Sequence, residues 1–441
     1  MTKTKEDVLR IMSDYGVNYC RLNFTDILGR LKGMTMTGSE LERVLERGQG
    51  FDGSSVEGFV RIEESDLMAI PDLRTFRIIP WEIGGDKTAM IFCDIQRPNG
   101  DPYEGDPRWV LRRILNKIEE KGQTFFLGPE LEYFYFDSYE NPETLDHDGY
   151  FDYGPADVGT ILRKKTSSAL EQMGIAVECS HHEVAPSQQE IDLKYREALI
   201  MADFVQIYKF VAKEIAMESD VFASFMPKPI FGQNGSGMHV HMSIFDDDRN
   251  LFYDKKAPNY LSPLAHRFIA GLLKHIKGIT LVLNQWANSY KRLVAGYEAP
   301  VYISWGTRNR SSLIRVPIFK SGHEQSARIE LRSPDPACNP YLAFAVILAA
   351  GLDGIESKDK LPDPVEENIF EMPLDTRNSR HIDCLPDSLE RAIAEMESSE
   401  LVRETLGDHI FNKLLANKKM EWDACRIAVT DYEIKKYLPF L

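Results

Sequence analysis

The 441 residues allow two or three domains, and 43% hydrophobic with 27% charged residues is ordinary for a globular protein. The formal net charge of −16 excludes the basic footprint of a nucleic-acid binder, so an anionic substrate needs its own local cluster of Arg and Lys. Six scattered cysteines without a CxxC pair, and a start (MTKTKEDVLRIM) without a signal-peptide core, predict reduced thiols in the cytoplasm.

In chain order, the first hundred residues read as short strands joined by turns. Tyr19 to Phe24 and Leu31 to Met36 flank DILGR, a hairpin turn. RPNGDPYEGDP (Arg97 to Pro107) is a Pro/Gly/Asp linker, and it predicts a boundary between domains 1–104 and 105–441. Asp106 then reads as an N-cap with Pro107 at the first helical position, and Val110, Leu111, Ile114, Leu115 and Ile118 form an apolar stripe. Strand-like FFLGPELEYFYF is followed by a helix near Thr160 to Met173, by AVECSHHEV and QQEIDLKY, and by a helix near Ala198 to Met217. MHVHMSIF reads as a strand, Leu264 to Leu283 as a helix, and the C-terminal third as mostly helical. Its most apolar run, Tyr341 to Leu352, is shorter than the roughly 20 residues that span a bilayer, so it reads as a core helix and no membrane is expected.

Two glutamates, Glu130 and Glu132, interrupt the aromatic segment FLGPELEYFYF. Glutamate is depleted in strands, and lone buried carboxylates are avoided unless paired or metal-bound. Alternate strand residues share a face, so these two project together. Glu183 and Glu190 lie in SHHEVAPSQQEID, Glu330 in RIELRSPD, and His239 and His241 alternate in MHVHMS. Two readings stand: solvent faces of half-exposed strands, or one polyanionic site neutralised by Mg²⁺ or Mn²⁺.

FGQNGSGMH is a glycine-rich turn entering a strand, suited to bringing backbone N–H groups near a ligand, but it lacks the Walker lysine. Lys291, Arg292, Arg308, Arg310, Arg315, Arg328 and Arg332 concentrate positive charge within some forty residues of an acidic chain. Arginine grips carboxylate and phosphate bidentately. Carboxylates for divalent metals beside arginines for anions suggest phosphoryl transfer from a nucleotide.

FDGSSVEGF, GPELEY, SHHEVAP, FMPKPIFGQNGSGMHVHMS, NSYKRLVAGYEAP, NRSSLIR and ARIELRSPDPACNPYLA, in this order, resemble the successive signatures of type I glutamine synthetases over essentially the whole chain. The resemblance implies an α+β fold: a small β-grasp-like domain, then a catalytic α/β domain with an antiparallel sheet. It implies a homo-oligomer, a dodecamer of two hexameric rings with inter-subunit active sites. Glu132, Glu183 and Glu190 would hold one Mg²⁺ or Mn²⁺, and Glu130, His239 and Glu330 the other. Glu178, His241, Ser243, Arg310, Arg315 and Arg328 match positions that bind ATP. Asn234, Gly235, Arg292, Glu298 and Arg332 match positions that bind L-glutamate. Asp52 from a neighbouring subunit and Glu298 would handle ammonium, with Arg310 and Arg332 completing the catalytic set. Arg61 would take part in feedback by glutamine, and a nitrogen-regulatory protein partner is compatible with the family.

The chain departs from the common family forms GQHEID, NPxxNSYKRL and VPGYEAP, reading SQQEID, NQWANSYKRL and VAGYEAP. Ala295 stands where proline would stiffen the flap. HIDCLPDSL (His381 to Leu389) carries no tyrosine for adenylylation. The expected reaction is ATP-dependent joining of ammonia to glutamate. A γ-glutamyl–amine ligase and a catalytically weak nitrogen sensor are the alternatives.

Overall fold

The structure, a computed structural model, describes residues 3–58, 66–140, 142–154, 158–318 and 322–441. Arg61 lies outside the described residues.

The N-terminal part contains α1 (Lys5–Tyr15), β1 (Tyr19–Thr25), β2 (Leu31–Thr37), α2 (Gly38–Arg47), β3 (Gln49–Asp52), β4 (Asp66–Pro71), β5 (Arg77–Ile83) and β6 (Asp86–Gln96). The hairpin across DILGR forms as expected, with Tyr19 opposite Thr37 and Thr25 opposite Leu31. The two helices are a correction to the all-strand expectation. The α1 start is a capping box, Thr4 with Asp7, and left-handed Gly16 (φ 63°) ends the helix. It buries Val8 and Met12, and α2 buries Leu41 and Val44, in one small core with Cys20, Leu22, Ala89 and Ile91. The six-stranded sheet runs β2-β1-β6-β4-β3, with β5 on β6, and β1 lies parallel to β6.

Asp106 caps α3 (Pro107–Glu119), with Pro107 at its first turn, and all five stripe residues are buried. The Asp106 carboxylate also accepts from the Ile95 N–H at 2.9 Å, tying the helix start to β6. Arg108 on this helix is buried among Asp72, Asp94 and Asp203, and so links strands of the first sheet to the larger part of the molecule. A fork of five donors spread over three carboxylates suits such burial, because no charge there is left unpaired.

Among the described residues the larger sheet has ten strands. Its principal strands are β7 (Gln123–Phe136), β8 (Val177–His182) and β9 (Gln188–Leu193), with short β10 (Arg196–Glu197) and β11 (Phe222–Ser224). Then come β12 (Met238–Asp246), β13 (Arg249–Asn250), β14 (Tyr302–Gly306), β15 (Ser312–Arg315) and β16 (Ile329–Leu331). The order is β14-β15-β16-β12-β7-β9-β8. Helices α4 (Val158–Gln172), α5 (Ala198–Met217), α6 (Pro263–Leu283) and α8 (Pro340–Ser357) pack a continuous core against it, and the four-residue turn α7 (Ser289–Arg292) borders the site. The apolar α8 is almost wholly buried, as a core helix should be. The expected mostly helical C-terminal third holds from α8 onward, but three sheet strands, β14 to β16, precede it.

Candidate active site

Strand pairing lines up the predicted residues, with neighbours the sequence reading did not name, as rungs across the sheet. One rung reads His239–Glu130–Asp192–Cys179 through β12, β7, β9 and β8. The next reads Glu132–Glu190–His181 through β7, β9 and β8. A third joins His241, Glu330 and Arg315, and opposite His241 on β7 stands Gly128. Directly opposed residues on one face have Cβ atoms about 5 Å apart, so these functional groups must meet.

They meet in a cavity of about 190 Å³ lined by Glu130, Glu132, Glu183, Glu190, His239 and Glu330, the six expected metal ligands. Asn234, Gly235, Arg292, Glu298, Arg310, Arg315 and Arg332 line it too. A cavity of about 1110 Å³ lies elsewhere, lined by Arg21, Arg30, Lys32 and Lys209 among others, and it holds none of these carboxylates.

Glu130, His239 and Glu330 offer ligand atoms within 4.8 Å of one another, the trio named for one metal. His239 Nδ1 lies 3.3 Å from Glu130 Oε2 and 3.6 Å from Glu330 Oε1. Beside the second expected trio stands an imidazole. His181, Glu183 and Glu190 come together. Glu132 borders them, but its Oε2 accepts from Gln188 Nε2 at 2.8 Å and from the Gly237 N–H at 3.0 Å. Those two donors hold the carboxylate toward the glycine-rich turn.

Electrostatics separate the two groups. Burial opposes the charge on Glu130, yet hydrogen bonds from His239 and His241 hold its pKa well below the carboxylate norm. Glu330 is also buried, and His241, His239, Arg315 and Arg332 lower its pKa. In contrast, burial first and then Glu132 push Glu183 up to about 8. Burial, Asp192 and Glu132 push Glu190 well above its ordinary value. Two buried carboxylates pushed toward their protonated form beside a third, with one imidazole, make a donor set that a cation would neutralise. Oxygen ligands with one imidazole suit Mg²⁺ or Mn²⁺, so these residues fit a divalent ion.

Positive charge faces this acidic half. Arg315 Nε bonds Glu330 Oε2, and Arg332 Nε lies 3.3 Å from Glu330 Oε1. Arg292 is buried and donates to the carbonyls of Ser333 (2.8 Å) and Arg332 (3.2 Å). A Cβ on Gly235 would lie 2.2 Å from the Pro227 carbonyl oxygen, and one on Gly237 2.5 Å from an Arg292 nitrogen. Only glycine lets the turn approach that guanidinium. Glu298 holds a left-handed backbone (φ 58°) next to Gly296 (φ 96°), a strained conformation for a glutamate at a cavity wall.

Glu178, His241, Ser243 and Arg328 do not line this cavity. His241 and Arg328 touch it indirectly: His241 Nε2 lies 2.7 Å from Glu130 Oε1, and Arg328 Nε is 3.1 Å from His241 Nδ1. Asp52 is exposed on β3, with Oδ1 accepting from the Ser54 N–H, and lies away from the lining. Sequence reasoning missed Tyr150, His181, Gln188, Asp192 and Tyr297 on the wall. Alternation in QQEID places Gln188, Glu190 and Asp192 on one face and was a usable signal. Tyr150 comes from a loop and left none.

Of the departures, Ser187 and Gln189 make specific contacts. Ser187, where family members commonly have glycine, is fully buried and keeps a left-handed φ of 60°. Its Oγ accepts from the N–H groups of Leu145 and Asp146, and its own N–H donates to Asp146 Oδ1. Gln189, in place of histidine, accepts from buried Arg163.

Two family models match the chain: glutamine synthetase, beta-Grasp domain, over residues 16–98, and glutamine synthetase, catalytic domain, over residues 104–437. The chain belongs to the glutamine synthetase family. It is 49% identical to a glutamine synthetase of Clostridium saccharobutylicum over 439 residues, covering 99% of this chain and 98% of that one. It is 48% identical to one from Thermotoga maritima, covering 99% of both. Among solved structures, a GmaS/ADP complex superposes with a TM-score of 0.90 at 29% identity over the full length of both chains. A Plasmodium falciparum glutamine synthetase superposes with a TM-score of 0.88 at 26% identity over 99% of each. This glutamine synthetase family member thus has the expected α+β fold, a β-grasp part followed by a catalytic part with mixed sheets and helices.

Proposed function

We propose that the chain joins ammonia to the γ-carboxylate of L-glutamate, with ATP as co-substrate, to give L-glutamine, ADP and phosphate. One observation carries the reading: two triads suited to divalent ions and four arginines converge on a single cavity. A carboxylate resists amines until it is activated. Transfer of the γ-phosphoryl group of ATP to the glutamate carboxylate creates an acyl phosphate, and ammonia then displaces phosphate.

Mg²⁺ or Mn²⁺, held by Glu130, His239 and Glu330 on one side and by Glu183 and Glu190 with Glu132 or His181 on the other, would supply charge neutralisation for the phosphates. Arg310, Arg315 and Arg332 offset negative charge on the transferring group. Arg292, Asn234 and Gly235 orient glutamate at the glycine-rich turn. Glu298, at the wall, attracts ammonium and shields the acyl phosphate from water. Asp52 takes the ammonium proton from a neighbouring subunit, because its exposed position away from its own cavity suits a shared site. That arrangement supports a ring oligomer, here a dodecamer. Glu178, Ser243, His241 and Arg328 serve the ATP side. The six free thiols suit the cytoplasm.

The test is an assay of the purified protein with glutamate, ATP and Mg²⁺, adding ammonium or a panel of larger amines. Glutamine and phosphate should form together with ammonium. Turnover with amines and none with ammonium would sink the reading.

A further inference from the structure

We propose that Cys179, His181 and Asp192 form an additional cation site, selective for thiophilic divalent ions such as Zn²⁺. A sulfur, an imidazole nitrogen and a carboxylate oxygen from these residues lie within 4.8 Å of one another. The backbone dictates this meeting. Cys179 on β8 directly opposes Asp192 on β9, and His181 follows Cys179 by two residues on the same face.

The thiol already points at the carboxylate, with Sγ 2.8 Å from Asp192 Oδ2. The other oxygen, Oδ1, is buried and has no hydrogen-bond partner among the described residues. A buried acceptor left unsatisfied costs free energy that a bound cation would recover. Cys179 is exposed on a groove of about 830 Å³, which gives an ion a path and leaves a position for water. Arg163 borders the same groove, but Gln189 and Thr160 engage its guanidinium.

The donor set decides the ion. One thiolate, one imidazole and one carboxylate match Zn²⁺, whereas the two groups next door, carboxylates with one imidazole and no sulfur, match Mg²⁺ or Mn²⁺. On binding, the S–H bond breaks, a sulfur–metal bond forms, and the proton leaves to solvent.

The site also shares a residue with the neighbouring carboxylates. His181 Nδ1 is 3.5 Å from Glu183 Oε1, and its Nε2 is 3.8 Å from Glu190 Oε1. An ion held through Cys179 withdraws His181 from that group. Inhibition by Zn²⁺ follows, a consequence that rests on the ligase reading, whereas binding itself does not.

The probe is Co²⁺ added to the purified full-length protein. A thiolate-to-cobalt charge-transfer band should appear at one ion per chain and vanish in Cys179→Ala. It should persist when the exposed Cys384 and Cys425 are both replaced by serine. Absence of the band, or its survival in Cys179→Ala, overturns the site whatever reaction the chain catalyses. In the Mg²⁺-supported assay, Cys179→Ala should match wild type without Zn²⁺ and need at least about 10-fold more Zn²⁺ for half-inhibition. Equal sensitivity of the two proteins overturns the coupling to the carboxylates.

Discussion

His241 donates from Nε2 to Glu130 Oε1 at 2.7 Å, and Arg328 decides that it does. Arg328 Nε lies 3.1 Å from His241 Nδ1, and a guanidinium can only donate. Nδ1 must therefore accept, which leaves the ring proton on Nε2, facing the carboxylate. His241 thereby holds one oxygen of Glu130 while His239 approaches the other. Replacing His241 with alanine should weaken divalent-ion affinity about 10- to 100-fold, the usual cost of removing a ligand's supporting partner. Titration of activity against Mg²⁺ or Mn²⁺ checks this. An unchanged ion affinity with a raised KM for ATP would assign His241 to the nucleotide alone.

Glu130→Ala and Glu330→Ala should each lower turnover by about 10²- to 10³-fold, comparable to removal of a transition-state stabilising group. The folded assembly state should match that of wild type, since both side chains face the cavity rather than the apolar core. Phosphate release and size-exclusion chromatography report the two properties separately. Wild-type turnover in either variant refutes the metal assignment.

Proton uptake gives an independent check. Glu183, raised to about 8, and Glu190, raised well above its ordinary value, are favoured in the protonated form by the ion-free fold. A raised carboxylate contributes stability that is full below its unfolded value and is lost as pH climbs through its folded value. The Tm of chelated protein should therefore fall as pH rises from about 5 to about 8, and Mg²⁺ should restore it most at the upper end. Ion binding should release protons in that window, read as buffer-dependent heats in calorimetry. Proton-neutral binding there would contradict the assigned ligands.

Lys228 clasps two cavity loops at once. Its Nζ donates to the Gln233 carbonyl, beside Asn234 and Gly235, and sits 4.0 Å from the Tyr297 ring centroid, beside Glu298. A cation–π contact of this kind contributes about 0.5–2 kcal/mol. Lys228→Gln should loosen the loop that carries Tyr297 and Glu298 and let water reach the acyl phosphate. The measurement is the ratio of phosphate released to glutamine formed, expected to rise above one. A ratio of one with a uniformly lower rate would reduce Lys228 to a structural role.

Ser187→Ala should destabilise the fold by about 1–3 kcal/mol, because the half-buried N–H groups of Leu145 and Asp146 lose their acceptor. Urea denaturation measures the loss. An unchanged midpoint would show that the hydroxyl does not offset the left-handed backbone.

The sequence by itself determined much of this protein. Alternation placed Glu130 beside Glu132 and His239 beside His241, and capping chemistry at Asp106 and Pro107 set the start of a helix. These signals are local, because side-chain direction repeats every two residues along a strand and helix ends need only neighbouring donors and acceptors. Thr4 and Asp7 carried an equally local signal for α1, which the reading of short strands passed over. Register across the sheet was not local. That His181 rather than Glu132 joins Glu183 and Glu190 depends on how β7, β8 and β9 align, and on Gln188 and Gly237 drawing the Glu132 carboxylate aside. Long-range pairing and core packing fix that alignment, so only the tertiary structure could decide which charged groups meet at the cavity.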